Sequence, residues 1–242
     1  MADFETDLER SLNGFTARRT GRSTRAAARM AFLGCAAALL LFPAVANAHP
    51  HVFVEANLEI VRNDDGAVTA LRHVWRFDEL FSSTVLLDFD ADASGDLNQD
   101  ELDEVSKVVT QSIKEQGWFT EIRRGEKNLD FEGPDKILVD YTDGQVLMFF
   151  EATFGEPVKT GEEKFRVSVA DPTYYVAMDV ANEAAVQIRG HAEQCAVSIY
   201  RPDYDALFAQ SSATLTEQFF QDPGNAMSDD KWFTWIDMTC SQ

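Results

Sequence analysis

The sequence predicts a mainly β (α+β) protein: an antiparallel β-sandwich-like domain with an inserted helix–loop–helix and a C-terminal helix plus strand. Three observations carry this expectation. Short stretches of alternating apolar and polar residues recur, bounded by turn-forming sequences such as Asn63-Asp64-Asp65-Gly66 and Thr142-Asp143-Gly144. Two other stretches read as helical, the first of them with apolar residues at helical spacing. The composition, 45% apolar and 11% aromatic over 242 residues, is enough to bury a core.

The first 48 residues read as an address label. Arg10, Arg18, Arg19, Arg22, Arg25 and Arg29 are followed by an apolar run from Met30 to Pro43 and then Ala44-Val45-Ala46-Asn47-Ala48. A basic stretch, a short apolar run and an Ala-x-Ala site are the parts of a secretory signal peptide. The apolar run is short for a membrane span. Cleavage after Ala48 is therefore expected to release a single secreted β-rich domain over 49–242, periplasmic and without a membrane span. The whole chain has 21 Lys and Arg against 41 Asp and Glu, a formal charge of −20. Removing six arginines and four acids leaves 15 against 37, or −22. Such a chain is a poor partner for nucleic acid, whose binding rests on Lys and Arg neutralising phosphates.

The strands follow in order. His51 to Val61 and Val68 to Phe77 read as a hairpin across Asn63–Gly66, and Ile137 to Tyr141 and Val146 to Phe154 as a second one. Phe165 to Ala170, Tyr174 to Val180, Ala185 to Arg189, Ala196 to Tyr200 and Trp232 to Cys240 complete the set. Helices are expected within about 78–117 and 203–220. In the first, Leu102, Val105, Val109 and Ile113 recur at helical spacing, with Gly117 as the stop.

Between the two halves of the first helical stretch lies Asp90-Ala91-Asp92-Ala93-Ser94-Gly95-Asp96-Leu97-Asn98-Gln99-Asp100-Glu101. A twelve-residue EF-hand loop places oxygen ligands at positions 1, 3, 5, 7, 9 and 12 and glycine at 6. These positions fall on Asp90, Asp92, Ser94, Asp96 (by its carbonyl), Asn98 and Glu101, with Gly95 at the turn. The insertion at about 78–117 thus reads as EF-hand-type, with Ca²⁺ as its cofactor. An acidic solvated turn is the bland alternative, and it leaves the full ligand pattern to chance. With one loop and a serine at position 5, the expected role is structural and not sensory.

Cleavage after Ala48 would open the chain with His49-Pro50-His51, and an α-amine and imidazole on one residue can chelate a transition metal. Imidazole and amine donors suit Ni²⁺, Co²⁺, Cu²⁺ or Zn²⁺. Pro50 lacks the amide needed for square-planar backbone chelation. His49 and His51, with His73 or His191, are the candidate ligands. A core role for His73, which shares a strand face with Trp75 and Phe77, is equally weighted. Cys195 and Cys240, an even pair in an oxidising compartment, are expected to form a disulfide. No Gly-x-Ser-x-Gly, phosphate-binding loop, dinucleotide fingerprint or His-Glu-x-x-His is present, so the expectation is a protein that is not an enzyme. Asp78 and Glu79 beside His73 read as helix caps before acid–base groups.

Ala48-His49-Pro50-His51-Val52-Phe53, His73-Val74-Trp75-Arg76-Phe77-Asp78-Glu79 with Phe81-Ser82, the acidic loop, and Asp171-Pro172-Thr173-Tyr174-Tyr175 occur together in this order. With the late cysteines, they resemble the bacterial domain-of-unknown-function family 1007. That family is described as a periplasmic component of an uncharacterised ABC-type transport system. The resemblance covers essentially the whole chain after Ala48. It implies a membrane metal permease or ABC-type transporter as partner, of the nickel/cobalt kind, and no established chemistry.

Overall fold

The computed structural model describes residues 51–161, 163–203, 205–207 and 230–241. The expected leader, His49 and most of the expected helix over 203–220 lie outside the described residues.

The first hairpin forms as its alternation requires. Strands β1 (Val52–Arg62) and β2 (Val68–Phe77) pair antiparallel, with Ala56 opposite Trp75 and Leu58 opposite His73. The Asn63 side chain accepts the N–H groups of Asp65 and Ala67, closing the turn. Gly66 holds φ +75°, and a Cβ there would lie 2.8 Å from the Arg62 guanidinium. The left-handed backbone therefore calls for glycine, and the neighbour is only the tip of a flexible side chain.

Helices α1 (Glu79–Phe89) and α2 (Gln99–Glu115) follow, then strands β3 (Thr120–Arg124), β4 (Lys127–Asn128), β5 (Leu138–Thr142) and β6 (Gln145–Val158). Next come β7 (Phe165–Val169), β8 (Val176–Asp179), β9 (Val186–Arg189), β10 (Cys195–Tyr200) and β11 (Trp235–Cys240). They form two sheets, one ordered β5-β6-β2-β1-β8 with β9 also on β1, the other β10-β11-β7-β3-β4. The fold is the expected mainly β one, but it departs from the expected antiparallel sandwich in one respect. Both β8 and β9 run parallel to β1, Val52 beside Val176 and Leu58 beside Val186. Alternation reports which face of a strand is buried and nothing about the direction of its neighbour. Strands β3 and β4 were not expected from the sequence: Thr-Glu-Ile-Arg-Arg has one apolar residue, and β4 has two residues.

The inner faces share one core. Trp75, Leu71 and Ile60 from the first sheet and Phe165, Val167, Ile122 and Ile236 from the second are all fully buried. Helix α2 adds Leu102, Val105 and Ile113, its predicted stripe. Ser106 of α2 donates to the Ile137 carbonyl, and Thr110 accepts the Ile137 N–H, which fixes the helix to the start of β5.

Helix α2 ends at Glu115, two residues before the expected stop at Gly117, in an unusual way. Gly117, Trp118 and Phe119 are left-handed in succession (φ 65°, 61° and 49°). Each non-glycine in that region costs about 1–2 kcal/mol. Burial offsets the cost: Phe119 stacks on Trp75 at 6.1 Å, and the Trp118 indole lies against Gly133, where a Cβ would fall 2.0 Å from the ring.

Candidate metal centre

The acidic loop joins α1 to α2, and each end of it is held by backbone. Asp90 is the last cap of α1, its N–H donating to Leu86. Its two carboxylate oxygens accept the N–H groups of Ser94 (3.0 Å) and Gly95 (2.8 Å), drawing the chain into a tight turn. Gly95 at φ +82° makes that turn without strain. Leu97 is buried and anchors the loop to the core. Asn98 then caps α2, its side chain accepting from Asp100 and Glu101, while the Glu101 carboxylate takes the Asn98 N–H in return. This is a capping box, and Asn98 and Glu101 sit at ligand positions 9 and 12 as well.

The donors converge. One carboxylate oxygen from each of Asp90, Asp92 and Glu101 lies within 4.8 Å of the others. The Ser94 hydroxyl donates to the Asp96 carbonyl at 3.1 Å, so positions 5 and 7 of the pattern face each other. The Asn98 amide reaches Asp92 at 3.4 Å. Hydrogen bonds from Ser94, the side chain first and then its N–H, hold the Asp92 carboxyl below its ordinary pKa. The three carboxylates carry the negative charge, and a hard divalent cation of the Ca²⁺ type takes such oxygens together with neutral hydroxyl, carbonyl and amide oxygens.

The histidines are dispersed. His51 is exposed just before β1; its N–H donates to the Tyr175 carbonyl at 2.9 Å, and its ring sits 5.1 Å from that of Tyr175. His191 lies at the far end of β1, its carbonyl accepting from Arg62 at 2.8 Å. The eleven residues of β1 separate them by roughly 30 Å or more at the usual strand rise. His73 is in the core, 1% exposed, stacked at 4.4 Å on Phe150 and edge-on to Trp75. Burial pushes its pKa down to about 3, so it is neutral at ordinary pH. Neither ring nitrogen of His73 has a hydrogen-bond partner, and the Trp75 indole N–H lacks one too. The structure does not bring His51, His73 and His191 together. Among the described residues no histidine joins the metal-capable group, and His49 lies outside them.

Residues 34–240 match a family described as protein of unknown function DUF1007. The chain belongs to the DUF1007 family. It is also similar to an uncharacterised protein of Haemophilus influenzae, 26% identical over 171 residues, which is 69% of this chain and 80% of that protein.

One further expectation for this DUF1007 protein is met. Cys195 and Cys240 form a disulfide between directly opposed positions of β10 and β11. Among the described residues no helix is long and apolar enough to cross a membrane. Asp78 is a cap: its carboxylate accepts the N–H of Phe81 at 2.9 Å, and its other oxygen accepts the N–H of Phe53 at 2.8 Å. The carboxylate therefore ties the start of α1 to the start of β1, a double role that adjacency in sequence does not disclose.

Proposed function

We propose that this DUF1007 protein is an exported, calcium-binding accessory protein of transition-metal transport, a binding protein and not an enzyme. The calcium part rests on one observation: the oxygens of Asp90, Asp92 and Glu101 converge within 4.8 Å at a Gly95 turn between two helices. The disulfide suits an oxidising, extracytoplasmic compartment. The transport setting and a permease partner are what the family resemblance implies. Capture of Ni²⁺, Co²⁺, Cu²⁺ or Zn²⁺ falls to His49 and His51, because His73 is enclosed and His191 stands at the other end of β1.

Thermal unfolding tests the calcium part. At extracellular-type affinities of about 10⁻⁴–10⁻³ M, about 10 mM Ca²⁺ should stabilise the protein by roughly 1.4–2.7 kcal/mol. That corresponds to a Tm rise of about 3–10 °C over an EGTA control. Glu101→Gln should abolish the rise; an equal rise in the variant sinks the assignment. For the histidines, calorimetry with Ni²⁺ should show binding that disappears when a methionine precedes His49. The dispersal of the other histidines favours a second reading, a calcium module with no transition-metal site. In that case Ni²⁺ leaves the His51 NMR signals unmoved.

A further inference from the structure

We propose that the outward face of α1 is a docking surface for a basic amphipathic helix of a partner protein. Helix α1 buries Ser82 and Val85 and lays Phe81, Leu86 and Phe89 against the core, which accounts for one side of it. Its other side carries Leu80 and Leu87, which are 76% and 83% exposed. Isolated exposed apolar residues are ordinary. These two are seven residues apart, so they share one face about 10 Å apart along the axis. A helix apolar on both sides and packed on only one leaves a face that folding alone does not explain.

The ground between the leucines is shaped for contact. Ser83 and Thr84 lie there, small and exposed, and their hydroxyls donate to the carbonyls of Glu79 (2.7 Å) and Leu80 (3.1 Å) four residues back. Their donors are already satisfied, so a partner can cover this saddle without stranding a polar group. A large side chain from an opposing helix fits between two leucine ridges in the manner of ridges-into-grooves packing.

Charge selects the occupant. Helix α1 carries Glu79 and Asp88 and no Lys or Arg, and the whole stretch from Glu79 to Glu115 has ten Asp and Glu against two Lys, a balance of −8. A second copy would bring −8 against −8, and an anionic lipid surface is repelled in the same way. A helix with leucine-type residues at intervals of three and four and Lys or Arg on its flanks satisfies both the saddle and its rim. One bound Ca²⁺ reduces the balance to −6 and keeps its sign, so the surface goes beyond the calcium reading and does not rest on it.

Fluorescence anisotropy tests the surface, with two synthetic 18-residue peptides, one of Leu and Lys at helical spacing and one with Ser in place of Leu. The expected result in physiological salt is saturable binding of the Leu/Lys peptide, at least about tenfold tighter than the Ser/Lys peptide, a 1.4 kcal/mol difference. The Leu80→Ser/Leu87→Ser variant, which changes exposed side chains only, should lose at least that factor while keeping its circular dichroism and melting curve. Equal binding of the two peptides would mean charge alone, and equal binding by the variant would place contact elsewhere. Either outcome overturns the proposal. So does a leucine-dependent affinity for phosphatidylcholine vesicles, or a leucine-dependent dimer in sedimentation, which would assign the face to lipid or to a second copy. Calcium affinity, measured separately by calorimetry, can fail without touching this result.

Discussion

Replacing His73 by phenylalanine should make the protein more stable, and by an amount that grows as the pH falls. The imidazole is enclosed between Phe150, Trp75 and the strand neighbour Leu58, with both nitrogens unpartnered. Burial holds its folded-state pKa at about 3, against the ordinary 6.5 of an imidazole in water. The sign follows from which state binds the proton first. Above pH 6.5 both states are neutral and titration contributes nothing. Below it the unfolded chain takes up the proton and the folded chain does not, so stability is lost progressively from pH 6.5 down to about 3. At pH 4.5 the loss is two units below the unfolded pKa, about 3 kcal/mol at 1.36 kcal/mol per unit. Phenylalanine keeps the stacked ring and cannot titrate. At pH 7.5 the variant should already gain about 1–3 kcal/mol by removing unmet polar atoms, less about 1 kcal/mol if the larger ring strains the site. Urea unfolding of both proteins at pH 7.5 and 4.5 in the same chelated buffer reads the difference, and the carboxylates common to both cancel. A stability gap that stays the same at the two pH values would refute the reasoning.

Other parts of the molecule make equally direct predictions. Reducing the Cys195–Cys240 disulfide, or replacing both cysteines by serine, should cost about 4 kcal/mol, the chain-entropy value for a closed span of 45 residues, read by urea unfolding. Gly133→Ala should destabilise by several kcal/mol, more than the usual effect of a surface change, because its Cβ would fall 2.0 Å from the Trp118 indole. Its tryptophan emission should shift to the red. Asp78→Ala should cost about 1–2 kcal/mol, since it strips a helix cap and the acceptor for Phe53 together; Asp78→Asn should recover much of it. Ser94→Asp adds a carboxylate at the fifth loop position and should tighten Ca²⁺ binding by up to about tenfold in calorimetry.

What the sequence disclosed and withheld follows from which physical signals are local. The β1–β2 hairpin was legible because alternation and an Asn-Asp-Asp-Gly turn both act within a few residues, and β2 begins and ends at the expected residues. The loop from Asp90 to Glu101 was legible because its donors lie on one continuous stretch, and the structure brings three of their carboxylates together. The histidines were not legible in this way, because a site made of distant residues depends on topology. His51 and His191 looked combinable until β1 placed its full length between them. His73 showed the right face, alongside Trp75 and Phe77, but the sequence could not say which element would close over it. The parallel pairing of β8 and β9 with β1, and the three left-handed residues at Gly117–Phe119, also depend on what packs from elsewhere.

The acidic loop and the core are not independent parts, because one side chain belongs to both. Glu101 is buried, completes the capping box of α2, and also accepts the N–H of Ala91 at 2.8 Å across the loop. The carboxylate that would grip an ion from the twelfth position is therefore the one that starts the helix. That helix in turn sends Leu102, Val105 and Ile113 into the core and is pinned to Ile137 at the start of β5 through Ser106 and Thr110. Asp90, Asp92 and Glu101 crowd like charges within 4.8 Å, opposed by backbone N–H groups and the Asn98 amide, with no Lys or Arg in the loop. A divalent cation removes that repulsion at the first turn of α2, and the gain reaches the sheet through contacts already made. This is the arrangement expected of an ion that holds the inserted helices against the sandwich.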